Sequence, residues 1–525
     1  MYYYDSMRYA RVVLLMYVWL QAAQAAKILV FVPFPMRSHH IIFQPVVRGL
    51  AERGHQVTYY TPVPMQDPVP ISLRQVILPN TADTLKRVTP GLVEFGKASI
   101  PLMSVYFLRN AYSLADESLR HPVVQELVHS NETYDLILHE AMINTEPVVA
   151  LQHKFKAPGV TLMSLADSFW VHEMSGFTNN PAYMVDFRSD LSDRMSFPQR
   201  VLSLYHLTSS LLVYYCYQRY YYQEIIDKYF NYTGWEDRPS IFHLLSDQAL
   251  ILVNSHHSIG FNYPRAPHVK EVGGLNIHPP KPLPKDLKKI LDDALEGVIY
   301  FSLGSNLKMV EDLSKEAIDA FINVFSKLKK RVVWKWTGKK YSPVPSNVYM
   351  MDWLPQQDVL AHKNIRLFIM HGGQSSTLEA VNNALPVIGI PFFADQKRNI
   401  KRIASAGFGL LLEQENLTES SISWAIDEVL NNEKYKKQAV RSQRVFHDRP
   451  MKPVEEAVYW IEYVLKHGNI LQPASVHMPL YQLLLLDVLG AIAAGMLLIV
   501  LISKKLFRSI MTRSGNEKSW KIKQK

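Results

Sequence analysis

The chain has 525 residues, of which 48% are hydrophobic and 20% are charged, with a single cysteine. This length and apolar fraction allow about two to four ordinary domains and exclude the disordered and collagen-like classes. Because Cys216 is alone, an intrachain disulfide, a zinc cluster and an iron–sulfur site are excluded. Most of the net charge of +10 lies in residues 504–525, which hold eight basic residues and one acid. The charge therefore indicates no nucleic-acid groove in the body of the chain.

The first 25 residues have the order of a secretory signal. Arg8 and Arg11 precede an apolar run over residues 12–20, and the small residues Ala23 and Ala25 follow. Positive, apolar and small-residue segments in this order predict cleavage after Ala25. A buried N-terminal helix is the alternative interpretation.

The body then alternates short apolar runs of strand length with helical patterns. This rhythm predicts a parallel sheet whose two faces are covered by helices. Residues 165–245, rich in Tyr and Phe, interrupt it. Strands are predicted over residues 27–33, 56–61, 134–139, 159–163, 249–254, 298–303, 331–336, 348–351, 367–370 and 387–390, and helices over residues 41–53, 147–155 and 374–383.

Residues 278–285 hold four prolines in eight positions and predict a linker between the two alternating runs. Two doubly wound domains joined in this way leave a cleft that faces the carboxyl ends of both sheets. The fold class predicted from the sequence is therefore α/β with two Rossmann-like domains.

Near the C-terminus, residues 483–502 are apolar except for Asp487, and two lysines follow at Lys504 and Lys505. At 1.5 Å per residue these residues span a hydrocarbon core of roughly 30 Å, so we predict a transmembrane helix. Positive charge on its C-terminal side places residues 503–525 in the cytosol and the body in the lumen.

Short sequence motifs favour the same cellular location. The sequence holds three N-glycosylation sequons, which begin at Asn131, Asn231 and Asn416. Lys521 and Lys523 resemble the dilysine retrieval signal of endoplasmic reticulum membrane proteins. A generic basic tail beside a membrane is the alternative. Together these features predict a single-pass type I protein of the endoplasmic reticulum membrane.

Residues 353–396 carry the most informative pattern. A predicted strand ends there at His371, Gly372 and Gly373, and a helix follows. Glycines at a strand-to-helix turn let a ligand approach the backbone, and the free N–H groups of the helix start attract phosphate.

Neighbouring side chains extend this phosphate site. Ser375 and Ser376 add hydroxyl donors at the turn. Glu379 lies one helical turn after Ser375, where a carboxylate can accept the two hydroxyls of a ribose. Trp353 offers a flat face to a base.

In this order and spacing, these residues resemble the signature of the UDP-glycosyltransferase family. The resemblance extends from Lys27 to about Lys505 and is nearest to the arthropod branch. It implies the GT-B fold, hexose transfer from a UDP-sugar and a role in detoxification. The implied organisation is a signal peptide at 1–25, an N-terminal acceptor-binding domain at 26–277, the linker at 278–285, a C-terminal UDP-sugar-binding domain with closing helices at 286–475, a transmembrane helix at 483–502 and a cytosolic basic tail at 503–525.

The resemblance also assigns the donor-binding residues. It implies that Trp353 stacks on uracil, Gln356 binds the nucleoside and Glu379 binds the ribose. Asp395 and Gln396 would bind the sugar hydroxyls. Gln374 and Ser376 differ from the residues most common at their positions. The diphosphate would be held by His371, Gly373, Ser375, Ser376 and Ser305.

Sugar transfer to a hydroxyl needs a base for the acceptor and stabilisation of the leaving UDP. His39 follows the first strand and matches the catalytic base of the family, whereas His40 is left as structural. The family orients this base with an Asp at the end of the strand over residues 134–139. This chain has Glu140 there, whose side chain is one methylene longer than that of Asp. Glu146 is the alternative candidate for this role.

The implied mechanism is inverting direct displacement that needs no metal and no other cofactor, and no Asp-x-Asp motif stands beside a predicted strand end. The expected partners are the UDP-sugar, a small lipophilic acceptor and the membrane, and a homo-oligomer is left open. The arthropod resemblance favours glucose. The alternatives are glucuronosyl transfer from UDP-glucuronate and a non-catalytic luminal protein that binds a UDP-sugar or a lipophile. Residues 165–245 would line the acceptor pocket or form ordinary core and membrane-facing helices.

Overall fold

The computed structural model describes residues 25–522 apart from residues 67, 80, 82, 85–91, 143–144, 260, 305–312 and 339–340, and it describes no side chains for residues 92–94 and 513–522. Its contacts divide the chain into two units, with the boundary after Pro473. The predicted signal peptide, Ser305 and Lys523 lie outside the described residues, as does the side chain of Lys521.

The first unit contains two parallel sheets. In the first sheet the strand order is β3-β2-β1-β4-β5-β6-β7, so the chain starts in the middle and winds outwards in both directions. Alternate residues of the central strand point to opposite faces, Leu29 and Phe31 into one core and Ile28 and Val30 into another. The strands are β1 Lys27–Phe31, β2 Gln56–Thr61, β3 Leu73–Ile77, β4 Leu136–His139, β5 Gly159–Met163, β6 Gln248–Val253 and β7 Val269–Glu271.

The second sheet has the order β10-β9-β8-β11-β12-β13. Its central strand β8 again divides its side chains, with Phe301 in one core and Tyr300 in the other. These two doubly wound sheets confirm the fold class predicted from the sequence. The strands are β8 Val298–Ser302, β9 Arg331–Lys335, β10 Val348–Met351, β11 Ile365–Met370, β12 Val387–Gly389 and β13 Gly409–Leu411.

Helices cover both faces of each sheet. The interrupting segment of the sequence, residues 165–245, contains four helices, of which the first two are separated by an irregular stretch over residues 175–196, and packs on the first sheet. The helices of the first unit are α1 Arg37–Glu52, α2 Leu92–Lys97, α3 Ile100–Leu119, α4 Pro122–His129, α5 Ala150–Phe155, α6 Phe169–Met174, α7 Phe197–Tyr217, α8 Gln223–Tyr229, α9 Ile241–Ser246, α10 Lys285–Asp292, α11 Lys315–Ser326, α12 Gln356–Leu360, α13 Gln374–Asn382, α14 Gln396–Ser405, α15 Glu419–Asn431, α16 Glu433–His447 and α17 Pro453–His467, with a π turn at Gln218–Tyr222 and 3₁₀ turns at Glu146–Val149, Trp235–Asp237, His257–Ile259 and Gln414–Asn416.

The last of these helices returns to the first sheet. Ala457, Val458 and Ile461 of α17 are buried in the core that lies under α1. Gly49 of α1 leaves room for this contact, because a Cβ there would lie 3.1 Å from Val458 Cγ2. The last helix of the first unit, α17, therefore completes the helix layer that begins with α1.

The second unit begins with a 3₁₀ turn, Ala474–His477, and contains α18 Leu480–Leu483 and α19 Leu486–Ile522. Within the described part of the chain, one helix is long and apolar enough to cross a membrane, the 27 residues Leu486–Thr512, in which 18 consecutive residues reach a mean hydropathy of 2.4. Its large apolar side chains are exposed. The prediction placed the start of this span at residue 483, and α19 begins at Leu486.

Candidate active site

The first cluster of polar side chains lies at the carboxyl end of the first sheet. His39 is in the first turn of α1, which follows β1, and Glu140 comes directly after the neighbouring strand β4. His39 Nδ1 lies 2.7 Å from Glu140 Oε2. The two residues are 6% and 1% exposed. Because β1 and β4 are parallel and paired, residues 101 positions apart meet at one edge of the sheet.

Ser164, the residue after β5, completes this cluster. Its N–H donates to Glu140 Oε1 at 3.0 Å, and its Oγ lies 2.9 Å from His39 Nδ1. The ring of Phe34 packs edge-on against the imidazole, with ring centroids 4.6 Å apart. A carboxylate at Nδ1 keeps the proton on that nitrogen, so Nε2 keeps the lone pair that could accept a proton.

His40 has a different environment from His39. Its Nε2 donates to the carbonyl of Phe34 at 2.6 Å, and its Nδ1 accepts from the hydroxyl of Tyr59 at 2.7 Å. Burial lowers the pKa of His40 to about 4, so the ring is neutral at pH 7. The side chain joins β2 to the segment after β1.

Glu146 lies in a separate buried environment on the 3₁₀ turn Glu146–Val149. Its charge adds to the effect of burial in raising the pKa of Tyr214 and of Tyr222. Of the two carboxylates considered from the sequence, Glu140 is therefore the one in contact with His39.

The second cluster lies at the carboxyl end of the second sheet, where β11 leads into α13. Gly372 has a φ of +91°, and Gly373 caps the start of α13. A Cβ on Gly373 would lie 2.7 Å from His371 Nε2, so only glycine leaves this turn open. The first N–H groups of a helix have no partner within it, so the turn can receive a phosphate.

Basic side chains border this turn. Burial lowers the pKa of His371 to about 4, and the nearby charge of Lys335 acts in the same direction. Lys335 Nζ donates to the carbonyl of Gly304 at 2.9 Å. Ser375 is half-buried and Ser376 is buried, both in the first turn of α13.

Glu379 is buried one turn further along α13. Its Oε2 accepts from Gln356 Nε2 at 2.6 Å, and its Oε1 accepts from Asn276 Nδ2 at 2.9 Å. Burial raises the pKa of Glu379 to about 7, although these hydrogen bonds act against the shift. Trp353, after β10, is 65% exposed and leaves its ring free for a ligand.

Asp395 and Gln396 begin α14. Asp395 Oδ2 accepts from Asn399 Nδ2 at 2.6 Å. Burial raises the pKa of Asp395, and the charges of Arg398 and His39 oppose this rise. Gln396 Oε1 accepts from the backbone N–H of Phe392 at 2.8 Å, which leaves its amide nitrogen as the group for a ligand. Gln374 Nε2 at the start of α13 donates to the carbonyl of Asn254, which follows β6, so the two clusters line one cleft.

Comparison with known proteins identifies the family. The family model described as UDP-glucoronosyl and UDP-glucosyl transferase matches residues 26–520. The chain belongs to the UDP-glycosyltransferase family. UDP-glucosyltransferase 2 of Dactylopius coccus is 31% identical over 519 residues, which cover 95% of this chain and 97% of that protein. UDP-glucuronosyltransferase 2C1 of Oryctolagus cuniculus is 26% identical over 508 residues, which cover 92% and 98%.

Solved structures show the same GT-B fold. The glycosyltransferase of kitacinnamycin has a TM-score of 0.56 and 17% identity, covering 84% of this chain and 99% of that one. A UDP-glucosyltransferase from Polygonum tinctorium, in complex with 3,4-dichloroaniline, has a TM-score of 0.55 and 18% identity with the same coverage.

Membership of the UDP-glycosyltransferase family makes this protein an enzyme that transfers a sugar from a UDP-sugar donor. The apolar helix Leu486–Thr512 is consistent with a membrane anchor. Among the residues that the structure describes, no group of three or more His, Cys, Asp or Glu side chains is placed to hold a metal ion.

The three sequon asparagines of this UDP-glycosyltransferase, Asn131, Asn231 and Asn416, are exposed. Thr418, the hydroxyl residue of the last sequon, also caps α15.

Sequence reasoning missed three polar residues of the site. Ser164 and Asn254 each follow a strand, and that position at the carboxyl edge of the sheet could have identified them. Asn276, which contacts Glu379, follows the short strand β7, and no sequence pattern marks it.

Proposed function

We propose that this enzyme transfers glucose from UDP-glucose to a hydroxyl group of a small lipophilic acceptor, with inversion at C1 and without a metal ion. The observation that supports this proposal is the buried pair of His39 and Glu140, on the cleft where α13 and α14 contact the first sheet layer. An acceptor bound at His39 would lie beside the residue proposed to bind the sugar.

In the proposed reaction, His39 Nε2 takes the proton of the acceptor hydroxyl as the acceptor oxygen forms a bond to C1 of the sugar. The bond between C1 and the phosphate oxygen breaks, and UDP leaves with the electron pair. The proton stays on His39, whose imidazolium is stabilised by the Glu140 carboxylate at Nδ1. Attack from the face opposite UDP inverts the configuration at C1.

The start of α13 would stabilise the leaving diphosphate. We assign this role to the backbone of Gly373, to the hydroxyls of Ser375 and Ser376 and to His371, together with Ser305 on the segment after β8. The open glycine turn and the positive end of the helix dipole support the assignment. Developing charge on UDP would then be met by fixed dipoles rather than by a metal.

The remaining donor residues are assigned by position. Trp353 stacks on uracil, Gln356 binds the nucleoside and Glu379 accepts the ribose hydroxyls. The bond from Gln356 to Glu379 holds both side chains in place before the ligand arrives. Asp395 and Gln396 bind the sugar hydroxyls from the start of α14.

Glucose is supported by the relative from Dactylopius coccus, which is named a UDP-glucosyltransferase. We assign the acceptor pocket to the aromatic segment over residues 165–245. The ring of Phe34 packs against the imidazole of His39, so an apolar side chain borders the proposed base. Such a lining suits a lipophilic acceptor.

We further propose that the enzyme is a type I protein of the endoplasmic reticulum membrane with its catalytic body in the lumen. Signal cleavage after Ala25 would leave an acceptor domain at 26–277, the linker at 278–285 and a donor domain at 286–475. The basic tail at 503–525 supports the orientation.

The test measures UDP release from UDP-glucose in the presence of a phenol. His39→Ala should lower kcat by about 10²–10⁴, the usual contribution of a positioned general base. The Kd for UDP should change little, because the UDP site lies on the second sheet. A His39→Ala enzyme that keeps half its activity would show that another group is the base.

A donor screen on the wild-type enzyme separates the sugars. We expect a higher kcat/KM with UDP-glucose than with UDP-glucuronate. The reverse order would assign the enzyme to glucuronosyl transfer, and no turnover with any UDP-sugar would indicate a binding protein.

A further inference from the structure

The segment after β5 touches both sides of the cleft. Residues 164–167, which we call the bridging loop, begin at Ser164 in the His39 cluster and end at Asp167. Arg265 Nε donates to Asp167 Oδ2 at 2.9 Å, and Arg265 Nη2 donates to Glu271 Oε1 at 2.9 Å. The loop is therefore fixed within the first sheet layer at its far end and contacts the base cluster at its near end.

Gln374, the first residue of α13, is connected to the near end of the bridging loop through Asn254. Its Nε2 donates to the carbonyl of Asn254 at 2.6 Å, and Asn254 Nδ2 donates to the carbonyl of Ser164 at 3.1 Å. Gln374 and Asn254 are 4% and 0% exposed. Loss of the Gln374 donor would leave the buried carbonyl of Asn254 without a partner. This contact therefore holds the start of α13 against the end of β6.

Arg398 reaches the far end of the bridging loop from α14. Its Nη1 donates to the carbonyl of Asp167, and the residue is 2% exposed. Arg398 lies three positions after Asp395, in the first turn of the same helix. Of the two helices proposed to bind the phosphates and the sugar, α14 thus contacts the bridging loop directly through Arg398, and α13 contacts it through Asn254.

We propose that Gln374 and Arg398 are positioning residues that set the orientation of His39 from the donor side, acting through the bridging loop. This inference deepens the proposed function and rests on His39 as the base. A UDP-sugar that fixes the first turns of α13 and α14 fixes these two side chains as well. They hold Ser164, whose N–H and Oγ hold Glu140 and His39 in line.

The test uses Gln374→Leu and Arg398→Met, which remove the hydrogen-bond donors and keep an extended apolar side chain at each position. Nε and Nη2 of Arg398 have no hydrogen-bond partner among the described residues, so methionine costs the fold little. We expect kcat for UDP-glucose to fall about 10- to 100-fold, because small misplacements of a reacting group are costly. The Kd for UDP, which also reports the folded fraction, should change less than about threefold.

The pH profile supplies a readout that a purely structural role would not move. The titratable groups that face His39 are Glu140, His40 and Asp395. When Glu140 is less well aligned, the imidazolium is less stabilised, so the acidic limb of kcat/KM should move to lower pH. Arg398→Lys, which keeps a cationic donor, should restore part of kcat.

Arg449→Met is the matched control. Arg449 Nη1 also donates from the second sheet layer to a backbone carbonyl of the first, at Gly273, but it does not touch the bridging loop. We expect its kcat and pH profile to stay at the wild-type values. If Arg449→Met reproduces the kcat loss and pH shift of the test variants, the effect belongs to the interface in general and the proposal is wrong.

A double variant tests the route. Ser164→Ala combined with Gln374→Leu should lose little more kcat than either single variant, because both act on one path. Additive losses would overturn the inference. If His39→Ala is inactive while Gln374→Leu and Arg398→Met keep wild-type kcat, the positioning role fails and the base stands. If His39→Ala remains active, both fail.

Discussion

Glu140 uses its two carboxylate oxygens for two different tasks. Oε2 contacts His39, and Oε1 accepts the N–H of Ser164, so the side chain fixes the histidine and is itself fixed by the backbone. A change of charge at this residue therefore acts on the histidine without an intermediary.

Glu140→Gln should lower kcat less than His39→Ala does, by about 10- to 100-fold, because the amide cannot stabilise the imidazolium as a carboxylate does. Steady-state kinetics with UDP-glucose measure this loss. Glu146→Gln is the matched control, since Glu146 is equally buried but lies beside Tyr222. A silent Glu140→Gln with an inactive Glu146→Gln would reassign the orienting carboxylate.

UDP binding should release protons near pH 7. Burial raises the pKa of Glu379 to about 7. Ribose hydroxyls that donate to this carboxylate favour its ionised form, so its pKa falls on binding and about half a proton leaves at pH 7. UDP affinity should therefore increase as pH rises through 7 and then level off.

Isothermal titration calorimetry in two buffers with different ionisation enthalpies measures this release. Glu379→Gln should abolish it and weaken UDP binding by about 1–3 kcal/mol. Equal heats in the two buffers for the wild-type enzyme would contradict the assignment of Glu379 to the ribose.

At the scale of elements, the sequence predicted the strands that are buried inside the two sheets. Interior strands such as β2 and β5 were predicted at their observed ends, because their apolar runs are bounded by polar turns, and the edge strand β10 was predicted as well. The strands β3, β7 and β13 were not predicted. They have three to five residues and lie at the edges of the sheets, where half-exposed side chains break the pattern.

The candidate site likewise contains residues that the sequence predicted and residues that it did not. His39 and Glu140 could be predicted because a family signature fixes their positions relative to strands. Asn254 and Gln374 could not be paired from the sequence, because their contact depends on how the two sheet layers meet. Local pattern carries the first kind of information, and only tertiary packing carries the second.

Helix α17 should contribute strongly to the stability of the first sheet layer. Ile461→Ala removes a fully buried side chain and should lower the free energy of unfolding by about 2–5 kcal/mol. Tyr459→Ala on the exposed side of the same helix should change it by less than about 0.5 kcal/mol. Thermal unfolding of the two variants compares them, and equal Tm values would show that α17 is dispensable for the layer.

At the scale of the whole molecule, the body and the apolar helix are separate units with separate tasks. The body binds the substrates, and the helix is proposed to anchor the enzyme in the membrane. Changes in the tail should therefore move the enzyme within the cell without altering its chemistry.

Changing Lys521 and Lys523 to Ser should release the glycosylated enzyme towards the cell surface with unchanged kcat. Lys504, Lys505 and Arg508 remain to fix the orientation of the helix. Surface labelling and glycan processing measure the release. Retention of the double variant would contradict the dilysine signal, whereas a C-terminal tag protected from protease in sealed microsomes would contradict the orientation.

The packing of α17 on α1 also means that this helix layer is completed only late in synthesis of the chain. The ribosome completes α1 at residue 52 and α17 only at residue 467. At about 5–20 residues per second, roughly 20–80 s separate the two events. During this interval the surface of α1 around Gly49 has no partner, so the nascent chain depends on chaperones until its last globular helix emerges.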